Sequence, residues 1–251
     1  MDHKTTKWLY LLFLVVIFTC GCDFNSKDQK EKKGKKDGPV KILRSDGTVQ
    51  SIVNFKDGKR HGMAQTFYKN GKLRQQIDYF NNVKHGQVIT YYESGAKFQV
   101  TPYVNGKIEG VREKYRPNGK LMAEVPFKNG KPCAGLKEYL INGAPKTQYP
   151  QIVIKEINNL LRSNEFILRI SISDNSKKVV YYVGDMDPSG CISEEAMRIE
   201  PQQRGILELK YNLGPGMFMM EEMNIIAVVE TPLRNPYIIQ RKYNLAIENR
   251  Q

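Results

Sequence analysis

Three stretches of the chain repeat almost the same phrase: FKDGKRHGMAQTFYKNGKLRQ at 55–75, YFNNVKHGQVITYYESGAKFQ at 79–99 and YVNGKIEGVREKYRPNGKLMA at 103–123. One column of glycines recurs every 24 residues, at Gly47, Gly71, Gly95, Gly119 and Gly143. A second column holds Gly62, Gly86 and Gly110, and continues one residue late at Gly135. Two aromatic columns keep the same phase, namely Phe55, Tyr79, Tyr103 and Phe127, and Phe67, Tyr91, Tyr115 and Tyr139. Columns in phase indicate internal repeats, in which each unit stacks on its neighbours.

Each repeat contains two turn signals with alternating residues between them. One signal is KNGK (69–72), ESGA (93–96) or PNGK (117–120), and the other is DGKRHG (57–62) or NGKIEG (105–110). Asn-Gly and Asp-Gly favour tight hairpin turns, whose central residues need positive φ. Leu73, Gln75, Ile77 and Tyr79 share one side of the intervening segment, because side chains alternate along a strand. The sequence therefore predicts two strands per repeat and an elongated antiparallel β-meander.

The combination Tyr/Phe-x-Asn-Gly-Lys…Gly…Tyr-x-x-x-Gly-Lys resembles the MORN-variant repeat over residues 41–147, about four units. That family is common in bacterial lipoproteins and in proteins labelled antitoxin-like. The resemblance implies a repetitive all-β fold. For function, it leaves open an interaction module of a lipoprotein and an antitoxin-like protein.

Beyond 147 the period stops, and residues 148–251 are predicted to form an immunoglobulin-like β-sandwich. Short apolar or alternating runs, with turn signals between them, are typical of that fold. ISEEAMRI (192–199) is compatible with a helical turn or a strand, and we interpret PGMFMMEEM (215–223) as core filler or a strand edge. The predicted strands fall in 151–157, 165–173, 177–184, 205–213, 224–231 and 236–247.

The N-terminus predicts an exported, lipid-anchored protein. Lys4 and Lys7 precede the apolar run WLYLLFLVVIFT (8–19), which is short for a membrane span and typical of a signal peptide. The run ends in TCGC, which resembles the lipobox of bacterial lipoproteins, with residues 1–21 as signal peptide and Cys22 as the lipidated residue. An ordinary signal peptide or N-terminal anchor is the alternative. The Lys-rich segment 22–40 is predicted to be a disordered basic tether.

Lipidation at Cys22 would place the protein in the cell envelope. We expect the outer membrane of a Gram-negative bacterium, although Asp23 resembles the inner-membrane retention signal of enterobacterial lipoproteins. Cys133 and Cys191 then remain in the mature chain, and an oxidising compartment permits a bridge between them. Their spacing carries no disulfide signature, so we expect free or buried thiols.

Groups suited to catalysis or metal binding are few. His61 and His85 hold equivalent repeat positions, about 10 Å apart across two strands, too far to share a tetrahedral metal. Asp185 and Asp187 in GDMDPSG (184–190) lack the later acidic positions of a calcium loop, so we expect a polar loop. We therefore expect neither an enzyme nor a cofactor nor a metal site. A glycan hydrolase would need a pair of carboxylates about 5–10 Å apart in a cleft.

The formal net charge of +13 favours anionic partners. Our first hypothesis is an envelope interaction or scaffold protein that binds a protein partner, or an anionic lipid or glycan, but not nucleic acid. An antitoxin-like or immunity protein is the second, and a glycan-binding or glycan-processing protein the third. The candidate binding residues are Tyr91, Tyr92, Tyr103, Tyr115, Lys59, Lys72, Lys107 and Lys120.

Overall fold

The computed structural model describes residues 35–251. The predicted signal peptide, Cys22 and most of the predicted tether lie outside the described residues. The first strand begins at Gly38, so the folded repeats start slightly before the predicted end of the tether at residue 40. Within 35–251, no helix has the length and apolar character needed to cross a bilayer.

The repeats form one antiparallel sheet, as the alternating pattern predicts. Its strands follow one another in sequence order from β1 to β6, then β8, β9 and β10, while β7 pairs with β6 and β11 with β9. The strands are β1 (Gly38–Leu43), β2 (Val49–Lys56), β3 (Lys59–Phe67), β4 (Leu73–Phe80), β5 (Val83–Tyr91), β6 (Lys97–Val104), β7 (Lys107–Ile108), β8 (Gly110–Tyr115), β9 (Leu121–Lys128), β10 (Lys131–Pro132) and β11 (Lys137–Glu138).

The turns at one edge of the sheet confirm the predicted pairs of residues with positive φ, whereas at the other edge only the glycines, such as Gly71 and Gly119, have positive φ. At one edge of the sheet, both central residues of each turn have positive φ, as in Asp57 (53°) with Gly58 (76°) and Asn105 (49°) with Gly106 (82°). In the second glycine column, Gly62, Gly86 and Gly110 lie within strands, and Gly86 has a φ of 106°. A Cβ at Gly86 would meet Asp78 Oδ2 at 2.9 Å, so this position needs glycine for conformation and for space.

Consecutive repeats are joined by a ladder of side-chain hydrogen bonds, here called the repeat lock. In each repeat a tyrosine or arginine donates to a main-chain carbonyl 23 residues further along. The bonds run from Arg44 to Phe67, from Tyr68 to Tyr91 (2.7 Å), from Tyr92 to Tyr115 (2.8 Å) and from Arg116 to Tyr139 (2.6 Å). The lock ties each unit to the next, which is how a repeat array gains stability from nearest neighbours.

One row of residues crosses the whole sheet in register, and we call it the central row. The face of the sheet that carries it is the front face. Members of the row lie directly opposite one another on adjacent strands, so their side chains are close neighbours. In order they are Ile42, Ser51, Thr66, Gln75, Thr90, Gln99, Lys114, Ala123 and Glu138.

The C-terminal part is a β-sandwich, as predicted. One sheet has the order β12-β13-β16 and the other β15-β14-β17-β18. Apolar side chains of both sheets form one core, which includes Leu168, Tyr181 and Ile225, all fully buried. The elements are β12 (Ile152–Asn159), α1 (Leu160–Ser163), β13 (Glu165–Ile172), β14 (Val179–Val183), β15 (Met197–Ile199), β16 (Leu207–Asn212), β17 (Phe218–Glu230) and β18 (Pro236–Glu248).

Two ambiguous segments of the sequence are now placed. Within ISEEAMRI, Met197–Ile199 is a strand. The methionine-rich segment 215–223 leads into β17, where Phe218 and Met220 are 72% and 77% exposed, so these two residues are not core filler. Met223, three residues further on, does reach the core.

A disulfide bond joins the last repeat to the sandwich. Cys133 and Cys191 are bonded, so the expectation of free or buried thiols was wrong. The two residues are 58 positions apart in sequence, and only the docking of the sandwich on the repeat sheet brings them together. Elsewhere between the repeats and the sandwich, Tyr149 and Tyr237 stack at 4.7 Å and pack against the apolar cluster of Val125, Phe127 and Leu136.

Candidate functional site

The front face is closed at its C-terminal end by a loop of the sandwich. Residues 231–235 connect β17 to β18 and lie over the last members of the central row. Lys114 Nζ donates to the carbonyls of Leu233 (3.3 Å) and Arg234 (3.2 Å). Burial lowers the pKa of Lys114, and the nearby Arg112 guanidinium lowers it further. A lysine from the repeats thus recognises the main chain of a turn.

Glu138 holds the same loop from the other side. Its Oε1 accepts from Thr231 Oγ1 (2.6 Å) and Asn235 Nδ2 (2.8 Å), and its Oε2 pairs with Lys146 Nζ (3.2 Å). The Glu138 side chain is only 2% exposed, so its charge depends on these partners. Glu138, Lys146 and the loop therefore form a buried polar joint between repeats and sandwich.

The front face is open over the first repeats, where it forms a groove of about 640 Å³. Five consecutive members of the central row line it, from Ser51 to Gln99. Flanking residues complete the walls. The lining residues are Arg44, Gln50, Ser51, Thr66, Phe67, Tyr68, Arg74, Gln75, Thr90, Tyr91, Phe98 and Gln99. The closed end and the open groove are thus two parts of one continuous surface.

The chemistry of the central row changes between its two parts. Thr66 and Thr90 occupy the repeat position that Lys114 and Glu138 occupy further on. Gln75 and Gln99 alternate with the threonines, so the open part carries neutral polar side chains in place of charges, although the Thr90 hydroxyl itself is buried. Sequence analysis missed this row. Its signal was present, because the residues recur every 24 positions, but they are neither glycine nor aromatic.

The groove is free of negative charge. None of the residues that line it is a carboxylate. Arg44 is held by main-chain carbonyls, including that of Val49 at 2.7 Å. Arg74 is exposed, and its guanidinium lies 6.0 Å from the centre of the Tyr68 ring. The groove therefore offers one accessible cation beside neutral donors and acceptors.

The four predicted tyrosines do not form one surface. Tyr91 borders the groove, and its carbonyl accepts the Tyr68 bond of the repeat lock. Tyr92 is itself a donor of the lock, while Tyr103 lies under Lys84 Nζ, 5.0 Å from the ring centre. Tyr115 donates to Glu113 (2.6 Å), and this bond raises the pKa of Tyr115 to about 12.

The four predicted lysines are exposed and lie at opposite edges of the sheet. Lys59 and Lys107 follow the turns with paired positive φ, whereas Lys72 and Lys120 follow the turns at the other ends of the strands. None of the four lines the groove. Both edges are basic, as the sequence predicts, but these lysines do not converge on a site.

Other candidate groups have local roles. Glu113 and Glu124 lie opposite each other on neighbouring strands, but their alternation with Lys114 places them on the face away from the groove. Phe80 lies beside both histidine rings, 5.1 Å from His61 and 6.3 Å from His85. Within residues 35–251, no three histidine, cysteine or carboxylate side chains group as metal ligands would.

The GDMDPSG loop contributes to the junction with the repeats. Asp187 accepts from the amides of Ser189 (2.8 Å) and Cys191 (3.0 Å), and pairs with Lys128 (3.0 Å). The amide of Cys191 and the Lys128 ammonium lower the pKa of Asp187. These contacts fix the loop that carries Cys191 of the disulfide.

Comparison with known proteins agrees with the repeat geometry. A family model described as the MORN repeat variant matches residues 60–82, 84–105 and 108–129. The fold and the groove define a repeat-built β protein with an open polar face. Residues 60–129 thus hold three consecutive MORN-variant repeats, and the sandwich is docked on the sheet that these repeats help to form.

A search of curated proteins finds no match to the chain. Among solved structures, one similar chain is the extracellular domain described for a one-component system of B. thetaiotaomicron. The match covers 86% of this chain and 31% of that chain, at 14% identity and a TM-score of 0.23. This chain thus spans less than a third of that structure.

Proposed function

We propose that the protein is a lipid-anchored interaction protein of the cell envelope, and that the open groove of the front face is its binding surface. The single observation that carries the proposal is the continuity of the central row. Its closed end, at Lys114 and Glu138, already holds a loop of the sandwich. At its open end the equivalent residues, Thr66 and Thr90, line a groove that no segment of residues 35–251 occupies.

The character of the groove supports binding by polar recognition. Most of its lining side chains are hydroxyls, amides or aromatic rings, and such concave surfaces with convergent polar groups are the usual form of a binding site. The repeat lock holds the strands that carry these groups. A rigid groove loses little conformational entropy on binding, which favours affinity.

The disulfide supports export. Bonds such as Cys133–Cys191 persist in oxidising compartments and are rare in the cytosol. The proposed anchor is the acylated Cys22. Substitution Cys22→Ala is expected to abolish the incorporation of labelled fatty acid into the protein, and labelling of the variant as strong as that of the wild type would contradict the anchor.

Photocrosslinking in intact cells tests the binding surface. A photoreactive amino acid at position 75 lies in the groove, and the same residue at position 76 points to the other face of the sheet. We expect a discrete crosslinked product from position 75 and none from position 76. Equal labelling from both positions, or none from position 75, would refute the groove as binding surface.

A further inference from the structure

We propose that the groove binds a linear acidic polysaccharide with a two-sugar repeat, lying across the strands along the central row. This inference rests on the proposed function and names the ligand class. It is carried by the period of the groove, the chemistry of its lining and its charge.

The first argument is the period. Equivalent residues of the central row, such as Thr66 and Thr90, are two strands apart, which places them about 10 Å from each other. A β-linked disaccharide is about as long, so successive disaccharides would meet equivalent residues of the central row, while Arg74, whose equivalent positions hold Gln50 and Phe98, would meet one of them. An extended peptide advances about 3.3 Å per residue and alternates every two residues, so its side chains fall out of phase with the repeats.

The second argument is the lining. Gln75 and Gln99 carry amides that can both donate and accept, and the Thr66 hydroxyl can do the same. The Gln99 amide already donates to Thr101 (2.9 Å), and the Thr90 hydroxyl is buried. A sugar hydroxyl both donates and accepts hydrogen bonds, so it pairs well with side chains that can also do both. Tyr68 and Phe98 also line the groove, and aromatic rings supply apolar area against which the C–H face of a sugar packs.

The third argument is charge. Arg74 is exposed at the groove, and a guanidinium binds a carboxylate through two parallel hydrogen bonds. No carboxylate lines the groove to oppose an acidic ligand. The formal net charge of +13 attracts a polyanion over longer distances. An acidic sugar chain therefore fits the groove better than a neutral one.

Calorimetric titration of the mature chain tests the ligand class. The acidic probe is a set of peptidoglycan glycan strands freed of peptide, which alternate N-acetylglucosamine with the carboxylate-bearing N-acetylmuramic acid. Oligomers of N-acetylglucosamine are the neutral probe, and dextran is the control. The lining from Ser51 to Gln99 spans four strand spacings, so affinity should rise up to about four sugars and then level off.

Two variants locate the binding in the groove. Gln75→Ala should weaken binding of the acidic probe about tenfold, the effect of losing one or two hydrogen bonds. Gln76→Ala changes the same residue type on the other face and should leave binding unchanged. Arg74→Gln should weaken the acidic probe and leave the neutral probe unaffected.

The outcomes separate this inference from the proposed function. Absence of glycan binding, together with a protein crosslinked from position 75, would overturn the polysaccharide and leave the groove as binding surface. Absence of glycan binding and of any crosslink would overturn both. Equal effects of Gln75→Ala and Gln76→Ala would also overturn the inference, because binding would then lie outside the groove.

Discussion

Replacing Glu138 by glutamine tests whether the buried polar joint holds the sandwich on the repeats. Glutamine keeps the size of the side chain and one oxygen, so Thr231 and Asn235 can still donate to it. Their bonds change from charged to neutral, and each loses about 1 kcal/mol. In the wild type, Glu138 Oε2 and Lys146 Nζ form an ion pair 3.2 Å long. The glutamine NH₂ group that replaces Oε2 is neutral and cannot accept from Lys146, so this ion pair is lost.

The sum of these losses sets the expected size of the effect. Two weakened bonds account for about 2 kcal/mol, and the ion pair adds less than about 1 kcal/mol because the Lys146 side chain is partly exposed to water. We therefore expect Glu138→Gln to lower the free energy of unfolding by about 2–3 kcal/mol. Glu138→Ala leaves Lys146 with no carboxylate and should cost about 3–5 kcal/mol.

Urea unfolding followed by circular dichroism measures the loss, and hydrogen exchange locates it. The amides of Arg234 and Asn235, which are bonded to Thr231, should exchange faster in Glu138→Gln. Glu93→Gln is the matched control, since Glu93 is exposed in a turn and should change stability by less than about 0.5 kcal/mol. A loss for Glu138→Gln no larger than that of the control would refute the joint.

Three further predictions concern the junction and the repeats. The double substitution Cys133→Ser and Cys191→Ser removes the disulfide, which closes a loop of 58 residues, and should lower the free energy of unfolding by about 3–4 kcal/mol. Urea unfolding of the variant and of the oxidised wild type measures the difference, and equal midpoints would contradict the prediction. Tyr92→Phe removes one bond of the repeat lock and should cost about 1 kcal/mol; an unchanged midpoint would show that the lock contributes nothing. Asp187 has a folded pKa below its ordinary 3.8, so its contribution is complete above that pH and is lost as the pH falls through the folded pKa. The protection of the Cys191 amide, measured against its intrinsic exchange rate, should therefore fall as the pH drops below 3.8 in the wild type, and Asp187→Asn should remove this dependence.

Much of the fold followed from local patterns. The turns and the strand alternation are encoded in short stretches, because positive φ selects glycine or asparagine and alternating residues indicate the two faces of a sheet. The six C-terminal runs all became strands for the same reason. The burial of segment 215–223 was harder to predict, because apolar residues at the end of a strand have the same sequence pattern whether they face the core or the solvent.

The candidate site was harder to predict from sequence. Tyrosines drew attention because aromatic residues often bind ligands, yet Tyr92 serves the repeat lock and Tyr115 a neighbouring carboxylate. The lysines were correctly placed at turns, but the turns alternate between two edges about one strand length apart. The residues that line the groove are threonines and glutamines, whose types carry no distinctive signal alone.

The sequence by itself determined the repeat, its period and the all-β character, because these depend on φ preferences and on alternation between nearby residues. Only the tertiary structure decided which residues form the junction with the sandwich and which line the groove. Docking of the sandwich brought Cys133 to Cys191, and buried Glu138 against Thr231 and Asn235. Such contacts join residues 58 to 97 positions apart, and no local preference encodes them. The same docking covers the C-terminal end of the central row, which becomes the buried polar joint, and leaves the N-terminal end open as the groove.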